Sequence, residues 1–323
     1  MVFKIENKFL VFSQILLVSF LLVFTFSFNV DAITGKDNVT VKTLLDIGNV
    51  YPEITSIECN EGSDFDLTPA NVTTLSCLAV IKDYNGQEDI NQTNGWVGAV
   101  LFDTSESNYG DSDDEGDHYL NSSCSINESY GDEYEVLANC TFQVEYYANP
   151  GSWNLTLTVN DSSNWQDQNS TLFTISQLLA LGLPDTIYYG EVNATAVSEE
   201  NITSIINYGN TLFNLTLEGY AQTRGDGYAM NCSKGSNKLI NAEYEKYNLT
   251  ASTAGSLTLS EFENNYLNLT SSPVTKYFGL SSRVNDLEIS EFKEAYFRIY
   301  VPRGVAGTCE GNIIFGAVQA QEF

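Results

Sequence analysis

Hydrophobic positions fall into two regimes along this chain. Residues 9–28 are almost continuously apolar, broken only by Ser13, Gln14, Ser19, Thr25 and Ser27. Lys4 and Lys8 precede this run, and Val30-Asp31-Ala32 follows it with small residues flanking a cleavage point. A positive start, an apolar stretch and a small-residue site are the layout of a secretory signal. Residues 1–32 are therefore expected to direct export, with cleavage after Ala32. The apolar run is also long enough to cross a bilayer as a helix, so an uncleaved N-terminal anchor is the alternative. No second hydrophobic span follows.

Residues 33–47 read as a polar leader or a short first strand. Beyond them the pattern becomes period-2 alternation in short segments. Residues 54–59, 73–82, 96–102, 139–147 and 153–159 each read as a strand, and Leu75, Cys77, Ala79 and Ile81 share one face of the second. Asn149-Pro150-Gly151 is a turn between two of them. Strands of this kind bury one face and wet the other, as antiparallel sheets do. A second set starts near residue 178, where residues 178–183 read as a connecting segment. Residues 187–190 lead into this set; strands are expected at 202–207, 212–217, 296–301 and 313–318, and a short helix within 255–294. Asn207-Tyr208-Gly209-Asn210 reads as a turn where positive φ is cheap. The expected fold is all-β: two tandem antiparallel β-sandwich domains, residues 48–177 and 178–323, behind the N-terminal hydrophobic segment.

Composition narrows the functional classes. The net charge is −28, which repels phosphate backbones and argues against nucleic acid as a partner. Apolar residues make up 43% of the chain, including 19 Tyr and 18 Phe, too many for a disordered stalk. Fifteen Asn-x-Ser/Thr sequons occur, at Asn38, Asn71, Asn91, Asn121, Asn127, Asn139, Asn154, Asn160, Asn169, Asn193, Asn201, Asn214, Asn231, Asn248 and Asn268. Residue frequencies alone give about five or six. A glycan is bulky and hydrated, so every used site must face solvent.

Six cysteines on an exported chain permit full oxidation. Cys232 and Cys309 lie alone in the second half and pair with each other if the domains are separate. Cys59, Cys77, Cys124 and Cys140 allow three connectivities. Local bridges Cys59–Cys77 and Cys124–Cys140 are slightly preferred over an inter-sheet Cys77–Cys140 bridge. Zinc is disfavoured because no Cys-x-x-Cys spacing exists.

Calcium is the one cofactor for which residues can be named. Asp111, Asp113, Glu115 and Asp117 alternate ahead of and around a glycine, in a segment with seven acids between residues 103 and 117. Alternating carboxylates are what an oxygen cage needs, although the twelfth position is Ser122 rather than Glu, so the EF-hand pattern fails. Asp83, Asn85 and Asp89 form a second candidate set. His118, the single histidine, reads as a surface residue rather than a catalytic base. Arg224-Gly225-Asp226 reads as a plain turn.

Several segments resemble Ig-like domains of the polycystic-kidney-disease or bacterial Ig type, which recur in prokaryotic, including archaeal, cell-surface proteins. In the first half these are Tyr51-Pro52-Glu53-Ile54-Thr55, Asp83-Tyr84-Asn85-Gly86 with Asp89-Ile90, and the run from Tyr146 to Trp153 with Asn160-Asp161. In the second half they are Tyr189-Gly190, Asn207-Tyr208-Gly209-Asn210 and the run from Tyr296 to Pro302 with Gly304 and Gly307. The resemblance implies an extracellular structural or adhesive role. The expected protein is thus a non-catalytic, N-glycosylated, disulfide-stabilised surface protein. Its partners would be envelope proteins or surface glycans, with membrane attachment through residues 9–28 if they are retained. The alternatives are a carbohydrate-binding module, using the abundant aromatics, and a secreted hydrolase relying on carboxylates.

Overall fold

A computed structural model describes residues 40–91 and 93–320. The signal or anchor segment and the sequon at Asn38 lie outside the described residues. The chain divides into two compact units, Met1–Gly48 and Asn49–Phe323. Of the first, residues 40–48 form no regular element, and Val41, Leu44, Leu45 and Ile47 are exposed. The strand considered for the leader is not found there.

The larger unit begins with eight strands: β1 (Glu53–Cys59), β2 (Thr73–Lys82), β3 (Trp96–Asp103), β4 (His118–Asn121), β5 (Ser125–Asn127), β6 (Glu135–Val144), β7 (Gly151–Asn160) and β8 (Gln166–Ile175). They form two antiparallel sheets, ordered β1-β2-β6-β5 and β4-β3-β7-β8. In immunoglobulin lettering this is ABED against C′CFG, so the topology itself makes the first sandwich Ig-like. The alternating positions of β2, β6 and β7 face inward: Leu75, Ile81, Val136, Phe142, Trp153, Leu155 and Leu157 all belong to one core. Trp153 is wholly enclosed, and its indole N–H donates to the Asn149 carbonyl at 2.8 Å. This bond lets a polar ring atom sit at the centre of an apolar core.

Ten strands follow: β9 (Leu181–Gly182), β10 (Asn201–Asn207), β11 (Phe213–Tyr220), β12 (Tyr228–Gly235), β13 (Leu239–Asn241), β14 (Glu245–Asn248), β15 (Leu267–Asn268), β16 (Val274–Leu280), β17 (Phe292–Ile299) and β18 (Val305–Gln319). One sheet runs β15-β14-β17-β10-β9, the other β13-β12-β18-β11-β16. The 15-residue β18 holds the second sheet together: its first half pairs with β12 and its second half with β11. Ile205, Ala295 and Phe297 from one sheet meet Phe213, Leu215 and Leu280 from the other. A short helix α1 (Leu259–Asn265) lies within the expected window and carries a capping box between Thr258 and Glu261, which satisfies orphan backbone donors at its start.

Residues 187–190 lead into the second strand set without forming a regular element. Ile187 and Tyr189 instead pack their side chains on the second core without joining a ladder. Each strand ladder among the described residues lies wholly before residue 178 or wholly after it. Side chains do cross that point. Asn210 is buried, donates to the Ala148 and Ser176 carbonyls at 2.9 and 3.1 Å, and accepts from the Leu178 N–H at 2.7 Å. Tyr146 and Ser290 share a hydrogen bond of 2.7 Å, and Arg283 lies 4.2 Å from the centre of the Tyr147 ring. Gly209 serves close approach rather than positive φ, because a Cβ there would stand 2.1 Å from the Leu178 carbonyl oxygen.

Candidate functional site

Three turns at one end of the first sandwich bring carboxylates together. Asp83 follows β2, Asp89 closes a short 3-10 turn at Gln87–Asp89, and Asp161 follows β7. Local chemistry shapes each turn. The Asp83 side chain accepts from the Asn85 N–H at 2.8 Å, and Gly86 takes φ of 114° to reverse the chain. Asp161 accepts from the Ser163 and Trp165 N–H groups at 2.8 and 2.7 Å and from the Asn49 side-chain amide at 2.5 Å. Ser162 joins two of the turns: its N–H donates to the Asp89 carbonyl at 3.0 Å and its hydroxyl to the Asp89 carboxylate.

One oxygen from each of Asp83, Asp89 and Asp161 lies within 4.8 Å of the others, the one such group of acidic, histidine or cysteine side chains among the described residues. Two oxygens that each sit about 2.4 Å from a shared cation can be at most about 4.8 Å apart. Asp83 and Asp161 are buried, at 0% and 2% exposure, and Oδ2 of Asp83 has no hydrogen-bond partner. Burial pushes the Asp83 carboxyl up from its ordinary range; the Asn85 N–H opposes this, and the charges of Asp89 and Asp161 add to it. Asn85 had been expected beside Asp83 and Asp89, but its side-chain oxygen accepts from the Val50 N–H at 2.7 Å. Asp161 brings a third carboxylate to Asp83 and Asp89. Its sequence signals were a turn after an alternating strand and its place in the Asn160-Asp161 pair of the Ig-like resemblance, neither of which marks a ligand.

The acidic segment at 103–117 is arranged differently. Asp111 accepts from the Asn108 N–H at 2.7 Å, Asp113 from the Leu120 N–H at 2.9 Å, and Asp117 is half-buried. Glu115 lies against Asp286, and that carboxyl–carboxyl hydrogen bond, with burial, raises Glu115 to about 7 while it holds Asp286 down. Asp111, Asp113 and Glu115 thus serve separate partners.

His118 corrects an expectation. It is fully buried, faces Phe102 across the β3–β4 ladder with ring centroids 6.3 Å apart, and has no hydrogen-bond partner on either ring nitrogen. A four-residue strand, too short to show alternation, turned it inward. In the Arg224-Gly225-Asp226 turn, Arg224 pairs with the buried Glu218, its Nη2 donating at 2.8 Å. Burial works against ionisation of Asp226, but N–H donors from Gln222, Tyr228, Thr223 and Ala221 outweigh it and lower the carboxyl to about 2. Both charged groups of the tripeptide are engaged in holding the turn.

A cavity of about 320 Å³ opens in the second sandwich beside Tyr189, Thr203, Met230, Glu245 and Phe315. Glu245 is buried and accepts from the Tyr189 hydroxyl at 2.7 Å. Burial raises its carboxyl to about 7, against the pull of that hydrogen bond.

All six cysteines are oxidised: Cys59–Cys77, Cys124–Cys140 and Cys232–Cys309. An inter-sheet Cys77–Cys140 bridge is ruled out by topology, because β2 and β6 are neighbours in one sheet and these two residues stand opposite each other in it. Of the fourteen sequon asparagines among the described residues, none is buried; Asn71, Asn127, Asn169, Asn193 and Asn268 are exposed and the rest half-buried.

No protein-family model matches the chain, and no curated protein matches it. Solved structures resemble it distantly. Latent PorU from Porphyromonas gingivalis aligns with TM-score 0.26 and 14% identity over 84% of this chain, which spans 20% of that protein. The C-terminal domain of the AgI/II polypeptide BspA from Streptococcus agalactiae aligns with TM-score 0.22 and 9% identity, over 80% of this chain and 94% of that one. The titin Ig tandem A164-A165 aligns with TM-score 0.24 and 10% identity, over 84% and 97%. At these values the likenesses carry no argument about this chain.

Proposed function

We propose that this protein is an exported, N-glycosylated surface protein that acts as a structural or adhesive scaffold without catalysis. The observation that carries this reading is the placement of the sequons: of the fourteen described sequon asparagines none is buried and five are exposed, on strands and turns of both sandwiches. Glycans there would hydrate the surface and keep sheet edges apart, which suits a protein that meets neighbours through limited bare patches. Full pairing of the cysteines fits an oxidising compartment.

Glycan release with non-reducing peptide mapping of protein recovered from its native cells tests the proposal. Glycans are expected first at Asn71, Asn127, Asn169, Asn193 and Asn268, with three intact disulfides and an N-terminus at or before Ile33. A bare, reduced protein would overturn it. Carbohydrate binding is a second reading, favoured by exposed Tyr51 stacked on Trp165 at 4.3 Å, a flat aromatic face of the kind that sugars cover. Affinity electrophoresis against common polysaccharides separates the two; no retardation on any glycan removes the second.

A further inference from the structure

We propose that Asp83, Asp89 and Asp161 bind a calcium ion that ties together three turns at one end of the first sandwich. The three carboxylates fall within the span that one shared cation allows. Two of them are buried, and the ion pairs among the described residues, Lys82–Glu135 and Arg224–Glu218, reach none of them. Uncompensated acids this close repel strongly in a low-dielectric setting. The buried Oδ2 of Asp83 has no donor, although buried polar atoms are almost always satisfied. A cation at the common point satisfies that atom and cancels the repulsion together.

The donor set selects the ion. All three ligands are hard carboxylate oxygens, with no thiolate or imidazole, which sets aside zinc and copper. Magnesium prefers to keep several waters in a tight octahedron. Burial of Asp83 and Asp161 leaves few water positions, so the ion that sheds water readily is the better fit. The mechanical consequence follows from connectivity. Asp83 ends a strand of one sheet and Asp161 ends a strand of the other. Asn49 bonds to Asp161 and Val50 to Asn85, so the same ion steadies the segment leading into β1. Calcium would thus lock the two sheets and the start of the sandwich at one point.

Thermal melts of the full chain at fixed ionic strength test this, in EGTA, in calcium and in magnesium. Calcium at about a hundred times its Kd should raise the Tm by about 5 °C or more, with a much smaller response to magnesium. Asp83→Asn should abolish the calcium response and, because it relieves repulsion, melt no lower than the native chain in EGTA. Asp89→Asn, at a half-buried position with fewer structural bonds, provides the same test if the first variant misfolds. Asp113→Asn in the acidic segment should respond to calcium as the native chain does. Terbium gives a local readout, because it takes calcium's oxygen donors and emits when a nearby aromatic ring absorbs. The Trp165 backbone N–H donates to Asp161, which puts this residue next to the site, so excitation of tryptophan should light bound terbium, and Trp165→Phe should dim that emission while leaving the calcium melt shift intact. Equal responses to calcium and magnesium, or a calcium response unchanged in both Asn variants, overturn the proposal. So does terbium emission that ignores them.

Discussion

Replacing Arg298 by methionine is expected to cost about 3 kcal/mol of unfolding free energy. Arg298 is completely buried on β17, yet it has no carboxylate in direct contact among its hydrogen bonds. Its guanidinium donates to the Ser198 carbonyl at 2.7 Å, the Thr253 carbonyl at 2.6 Å, the Gly255 carbonyl at 2.9 Å and the Tyr266 hydroxyl at 3.1 Å. The residues it holds lie before β10, between β14 and α1, and just after α1. None of those carbonyls has a strand partner to fall back on, so removing the fork orphans the buried Ser198 carbonyl at about 1–3 kcal/mol, and costs less at the half-buried Thr253 and the exposed Gly255, where water can take over. Methionine keeps the apolar bulk and so isolates the polar loss. Arg298→Lys should recover less than half of it, because a point ammonium cannot span a planar fork. Urea melts followed by amide exchange in β17 check this. All three tryptophans lie between residues 96 and 165, so their fluorescence reports the first sandwich instead. A loss below about 1 kcal/mol for Arg298→Met would mean the guanidinium is not what holds these segments.

Stability should fall as pH rises from about 4.5 to about 7, and Glu245→Gln should remove part of that slope. Folded Glu245 keeps its proton up to about 7 because it is buried. The unfolded chain releases it near 4.5. Between those values the folded state binds more protons, so raising the pH favours unfolding; above about 7 the effect is complete. The window spans roughly 2.5 units, or about 3 kcal/mol at most. Glu115 also titrates near 7, so the difference between wild-type and Glu245→Gln melts is the quantity to follow. That difference should grow in favour of the glutamine variant across the window. Parallel curves would show that Glu245 finds another way to ionise, such as water reaching it through the adjoining cavity.

Much of the fold was legible because alternation is a local signal. The strands at 73–82 and 151–160 could be read from which residues repeat every second position, and the one at 96–103 from a short apolar run. Strands β4, β5, β13 and β15 could not, since two to four residues contain no period. Strand β8 hid behind Gln166, Asp167, Gln168 and Asn169, polar residues that an edge strand can carry because one side meets solvent. The candidate site was half visible. Asp83 and Asp89 share a turn-rich stretch and could be paired by eye, whereas Asp161 reaches them only when β7 ends beside that turn. Asn85 was grouped with them by spacing, but its side chain serves Val50.

From the chain alone came the all-β class, the inward faces of the long strands and the supply of cysteines and sequons. These depend on residue type and period, which neighbours in sequence express directly. Sheet membership, the burial of His118, the partners of each cysteine and the meeting of three carboxylates came only with the folded structure. Each depends on which strand lies beside which, and alternation tells a residue to face a core without saying what stands across it.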